Sequence, residues 1–171
     1  MIYDVEINSA AHYPAADVPG LIMLAEQVGF GAFWKGESNS TDPIVMLSAV
    51  ASRTKTIKLG TAIVNVFSRS PGLIAMSAAT VDEISEGRMV LGIGTSGKNV
   101  IEGFHARAFD KPLSQVKDVI KVTRTLLSGG RLDGANAQGV AYHGSLLGIP
   151  VPVWVFALVA LYFQLQDPRR W

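Results

Sequence analysis

The run Gly92-Ile93-Gly94-Thr95-Ser96-Gly97 is where this chain most plainly offers chemistry. Its glycines stand at G-x-G-x-x-G spacing at the end of an apolar run, Met89 to Ile93. Three readings of that spacing are open. A dinucleotide fingerprint would open the first strand–helix unit and would need an acidic residue at the end of the next strand; neither condition is met here. The second reading is a tight turn in which glycine only relieves crowding. The third is a loop whose amides, with the Thr95 and Ser96 hydroxyls, hydrogen-bond a phosphorylated or flavin-like ligand.

Other chemistries are excluded by composition. The chain has no cysteine, so disulfides, thiolate metal sites and a cysteine nucleophile are out, and a cytoplasmic protein is expected. His12, His105 and His143 show no metal-ligand spacing, so no metal is expected. A formal net charge of +1 gives no reason to expect nucleic acid. Met1 to Ser9 lacks the basic flank and apolar run of a signal peptide. Leu146 to Leu165 is uncharged and, at about twenty residues, long enough to cross a bilayer. Pro150, Pro152 and a β-branched run argue instead for a strand, and no membrane partner is expected.

The glycine loop must be positioned by what precedes it. Ile2 to Asn8 reads as a first strand. Asp17 and Pro19 open a helix with Leu21, Leu24, Ala25 and Val28 on one face, closed by Gly29. Ala32 to Trp34 is a second strand, and Asp42-Pro43 caps a helix running to about Arg53. Ile57 to Asn65 is a third strand. Ser70-Pro71 opens a helix with Leu73, Met76, Val81 and Ile84 on one face, ended by Gly87. Met89 to Ile93 is a fourth strand, apolar throughout as a strand covered on both faces should be. Asn99 to Lys111 has no clear assignment. Leu113 to Ser128 is amphipathic, with Leu113, Val116, Val119, Ile120, Thr123, Leu126 and Leu127 on one arc. Val151 to Phe156 reads as a fifth strand. Strand and helix alternate with crossovers long enough for parallel pairing, so the fold class is α/β. A doubly wound sheet and a barrel both satisfy that pattern.

Several of these pieces together resemble a known family. Ala25-Glu26, Gly29-Phe30, Trp34, Asp42-Pro43, Leu59 to Ile63, Asn65, Arg69-Ser70-Pro71, Asp82 to Arg88, Leu91 to Gly94 and Lys111-Pro112-Leu113 are similar to the luciferase-like monooxygenase superfamily. The nearest flavour is the deazaflavin-dependent branch that includes methylenetetrahydromethanopterin reductase. The resemblance covers roughly residues 20 to 157 and is most specific over 57 to 97.

The resemblance implies a (β/α)8 TIM barrel, of which about five βα units are present. Its C-terminal mouth would hold coenzyme F420, or alternatively FMN, for hydride transfer or monooxygenation of a small-molecule substrate. It implies a non-prolyl cis peptide at Ala62–Ile63 that backs the ring. Asn65 could bond the ring's polar edge, or could simply cap a turn. Glu37 could assist proton transfer, or be a solvated loop carboxylate. Gly94, Thr95, Ser96 and Gly97 match the family's cofactor loop. His105 could line the substrate side, or stand by. Arg88 is expected to support its turn.

The pattern departs from the family near its end. A complete barrel has eight strand–helix units over about 250 residues. Residues 1–158 read as an incomplete barrel and 159–171 as an aberrant apolar tail, as from a truncation or a shifted reading frame. Such an incomplete barrel would expose strand edges, with weak cofactor affinity and homo-oligomer formation as the expected results. A second reading follows: a catalytically inactive fragment acting as an oligomerising or interaction module.

Overall fold

The computed structural model describes residues 3–7 and 13–132. The expected fifth strand, the apolar tail, His12 and His143 lie outside the described residues. The elements run β1 (Val5–Glu6), α1 (Val18–Gln27), β2 (Ala32–Lys35), α2 (Pro43–Ala51), β3 (Lys58–Thr61), β4 (Val64–Asn65), α3 (Pro71–Ile84), β5 (Met89–Val90), β6 (Ile93–Gly94), α4 (Lys98–Gly103) and α5 (Pro112–Leu127).

All strand pairs are parallel, in the order β1-β2-β3-β5, with β4 beside β6 as a second short sheet. Among the described residues strands therefore add to the sheet in chain order, without the reversal that defines a doubly wound sheet. Helices α1, α2, α3 and α5 likewise contact one another in succession. This is the layout of a barrel wall.

The expected third strand is split into β3 and β4 at Ala62–Ile63, where the peptide bond is cis. The expected fourth is split into β5 and β6 at Leu91-Gly92. At both breaks the ladder is completed by a side chain. Thr61 Oγ1 donates to the Gly92 carbonyl and accepts from the Gly92 N–H, each at 2.8 Å. The stretch from Asn99 to Lys111 contains the short α4.

The core lies between sheet and helices and includes Ile22, Phe33, Leu47, Val50, Ile57, Leu59, Val64, Ile74 and Val81. Each such side chain contributes roughly 1.5–3 kcal/mol on burial. Two expected helix faces are met only in part: Ala25 in α1 and Val81 in α3 are buried, and the other expected members face out. In α1 the buried residues are Val18, Ile22 and Ala25, while Leu24 is 56% exposed and Leu21 and Val28 also face out. In α3 they are Ile74, Ala75, Ala78 and Val81, while Met76 is 64% exposed and Leu73 and Ile84 face out. In both helices the buried residues are small, β-branched or proline, and the leucines lie outside. In α5, Val119, Val122 and Thr123 are buried, but Leu113 and Leu127 are exposed. The caps at Asp42 and Ser70 form as expected, on the amides of Ile44 and Val45 and of Leu73. Asp17 makes no side-chain cap. Among the described residues no helix is long and apolar enough to cross a membrane.

The turn between α2 and β3 is gripped from two sides. Glu26 accepts from the backbone N–H groups of Lys55, Thr56 and Ile57 and from the Thr56 hydroxyl. Arg88, buried, donates to the carbonyls of Ala51, Thr54, Ile57 and Ser85 and to Thr54 Oγ1. Arg88 thus holds more than its own turn: it ties the C-terminus of α2 to β3 and β5. Partial burial alone would raise the Glu26 carboxyl, but its four hydrogen bonds outweigh that and bring it down from 4.5 to about 2. A carboxyl whose pKa is lowered on folding stabilises the fold above its unfolded value, and that contribution drains away as pH falls through the folded value. Glu26→Gln is therefore expected to lower stability at neutral pH. It is also expected to flatten the acid limb of the stability curve between about pH 4.5 and about pH 2, as read by urea denaturation at stepped pH.

Candidate functional site

The carboxyl ends of β2, β4 and β6 meet at one rim, and a single carboxylate holds two of them together. Glu37 follows β2. Its Oε2 accepts from the backbone N–H of Asn65 at 2.8 Å. Its Oε1 accepts from Ser68 Oγ at 2.9 Å and from Arg69 Nε at 3.2 Å. Its own backbone N–H donates to the Ile63 carbonyl at 2.9 Å. The side chain is 7% exposed. It is therefore neither the solvated carboxylate nor an open one; its oxygens are taken up by the loop after β4. Arg69 also pairs with Asp42, the cap of α2. Burial works against both of those charges, yet the pairing prevails: it lowers the Asp42 carboxyl and raises the Arg69 guanidinium.

Asn65 is fully buried. Its Oδ1 accepts from the N–H groups of Phe67 at 3.0 Å and Ser68 at 2.8 Å, the turn-capping pattern. Its Nδ2 faces His105 Nε2 at 3.5 Å. Phe67 and Phe109 stack with ring centroids 5.1 Å apart, so the loop carrying His105 docks on the loop carrying Asn65 at two points.

The glycine loop runs along the same rim, with Gly94 in register with Asn65. A Cβ on Gly92 would lie 2.1 Å from the Thr61 carbonyl oxygen, and one on Gly94 would lie 3.0 Å from the Ile63 side chain. These two glycines allow close approach of strands, which is the crowding explanation of the motif. Gly97 has nothing within 4 Å of where a Cβ would stand, and its φ is negative. Thr95 and Ser96 are half-buried; Thr95 Oγ1 donates to the Ser96 carbonyl at 3.1 Å, and Ser96 sits at φ +58°.

The rim thus brings together Glu37, Ala62, Ile63, Asn65, Gly94 and His105, with Thr95, Ser96 and Gly97 next in the chain. Sequence reasoning missed four residues here. Arg69 was visible only as part of a motif, and Ser68 was not singled out at all. Ser38 carries a buried hydroxyl without a hydrogen-bond partner among the described residues. A fourth, Lys35, is buried at the end of β2 with Nζ 3.4 Å from the Ile7 carbonyl. Burial pushes its ammonium below the usual lysine range, with Glu6 pulling the other way.

The profile of luciferase-like monooxygenases matches residues 4–158. The chain belongs to that family. It is 36% identical over 128 residues to a presumed coenzyme F420-dependent oxidoreductase of Mycobacterium tuberculosis, covering 75% of this chain and 36% of the relative. It is 33% identical over 150 residues to the 5,10-methylenetetrahydromethanopterin reductase of Archaeoglobus fulgidus, covering 84% and 44%. The coenzyme F420-dependent tetrahydromethanopterin reductase of Methanopyrus kandleri superposes with a TM-score of 0.68 at 26% identity, over 79% of this chain and 43% of that one. This luciferase-like chain thus spans about two fifths of the length of those relatives. Its described part is the N-terminal portion of a (β/α)8 barrel, and the rim is the barrel's carboxyl end.

Two substitutions separate the roles of the glycines. Gly92→Ala is expected to cost more than about 2 kcal/mol in denaturant unfolding, because backbone stands where the methyl would go. Gly97→Ala should change stability by less than about 1 kcal/mol. Glu37→Gln, which keeps the shape but loses the charge toward Arg69, is expected to cost about 2 kcal/mol in the same assay.

Proposed function

We propose that this rim contributes the ring-binding wall of a coenzyme F420-dependent oxidoreductase acting by hydride transfer on a small molecule. One observation supports it most: Glu37 and Asn65 join the ends of β2 and β4 beside Gly94, and His105 is brought to the same point. Relatives whose names specify coenzyme F420 favour the deazaflavin over FMN.

The donor set fits a flat heteroaromatic ring. Ser38 Oγ is a buried hydroxyl without a hydrogen-bond partner among the described residues, and Thr95 and Ser96 lie half-buried on the same rim. Coenzyme F420, when bound, supplies the hydride donor or acceptor. Ser38, Thr95 and Ser96 would hold it by hydrogen bonds, the backbone at Ala62, Ile63 and Gly97 would line its bed, and His105 would stand on the substrate side. Glu37 serves as a positioning residue: it holds Asn65, Ser68 and Arg69 in place, and its own oxygens remain engaged by them.

Titration with oxidised F420 and, separately, FMN, followed by absorbance and calorimetry, tests the reading. F420 is expected to bind with a shifted absorption band, and Ser38→Ala to weaken it by about tenfold, the worth of one hydrogen bond. Binding of FMN alone would move the assignment to a flavin enzyme. Binding of neither would contradict the proposal.

A further inference from the structure

The turn after β4 fixes more than the backbone. An asparagine side chain has a carbonyl end and an amide end, and its surroundings decide which points where. At Asn65 the choice is forced. Two backbone N–H groups, those of Phe67 and Ser68, converge on one atom of the side chain, and only the carbonyl oxygen can accept them. The amide Nδ2 is left facing His105 Nε2. Nδ2 bears only donors, so in a neutral imidazole the facing nitrogen must be the acceptor. The ring proton then sits on Nδ1.

We infer that Asn65 is a positioning residue that sets the tautomer of His105, holding it with Nδ1 protonated and Nε2 unprotonated. Free histidine favours the opposite tautomer, so this is a state the protein imposes. The chain of constraint runs from Glu37, which takes the Asn65 backbone N–H, through the Asn65 side chain to the imidazole. Phe104 packs edge-on against the ring, with centroids 5.0 Å apart. The inference deepens the function proposed above, because it leaves Nδ1 as the hydrogen-bond donor of the His105 ring at the proposed site. It is read on the protein alone, so a failure to bind F420 leaves it standing.

The test is long-range proton–nitrogen correlation NMR on 15N-histidine-labelled protein, at a pH where the imidazoles are neutral. His105→Gln assigns the signals. The expected spectrum has the protonated nitrogen of His105 at Nδ1 and the unprotonated one at Nε2. Asn65→Asp is the decisive variant. It keeps an oxygen for the Phe67 and Ser68 amides but presents only an acceptor to the ring, so His105 should switch to the Nε2–H tautomer. An Nε2–H tautomer in the unmodified protein, or a pattern unchanged in Asn65→Asp, would overturn the assignment.

Discussion

The Glu37 carboxylate is the contact on which the rim depends. It lies just past the end of one strand and takes hydrogen bonds from Asn65, at the end of another, and from Ser68 and Arg69 in the loop that follows. A carboxylate this deeply buried is costly unless its oxygens are occupied and a cation stands near. Arg69 meets the second requirement and extends the link to Asp42 at the head of α2. Two connecting segments, the one between β2 and α2 and the one between β4 and α3, therefore share one charged network. Loops at the carboxyl end of a barrel are otherwise the least constrained parts of the fold.

The opposite end of the sheet uses the same logic with the signs arranged differently. Glu26 accepts from the amides of the turn before β3, and Arg88 donates to the carbonyls around it. Each end of the wall is thus fixed by ionic side chains bonded to backbone, and the apolar core lies between. Along the strands the limit is steric. Trp34 lies over Gly60, where a Cβ would be 2.1 Å from the ring, and Gly92 admits the Thr61 carbonyl. The wall is narrow where the sequence carries glycine, and the rim acquires its outline there.

Much of this was legible in the sequence because it is local. The alternation of strand and helix, the caps at Asp42 and Ser70, and the glycine stops at Gly29 and Gly87 all depend on residues a few positions apart. The family likeness was legible too, and with it the cis bond at Ala62–Ile63. What could not be read depends on partners far along the chain. Glu37 and Asn65 are 28 residues apart, and Arg88 and Ala51 are 37. Nothing in the loop Gly36-Glu37-Ser38 announces donors that arrive from the next crossover. The misjudged faces of α1 and α3 have another cause. Helices of this wall bury small residues such as Ala75 and Ala78 beside β-branched ones, so the leucine-bearing stripe does not mark the core. The G-x-G-x-x-G spacing, finally, joins two glycines required by strand packing to a third that packing leaves free.

The central claim is that the segments after β2, β4 and β6 act as one binding surface. Residue-by-residue amide hydrogen exchange, with and without coenzyme F420, tests it most directly. The account predicts that the ligand slows exchange together at Glu37–Ser38, at Ile63–Ser68 and at Gly94–Gly97, and leaves the turn at Thr54–Ile57 unchanged. Protection confined to one of the three segments, or centred on the turn at the far end of the sheet, would contradict it.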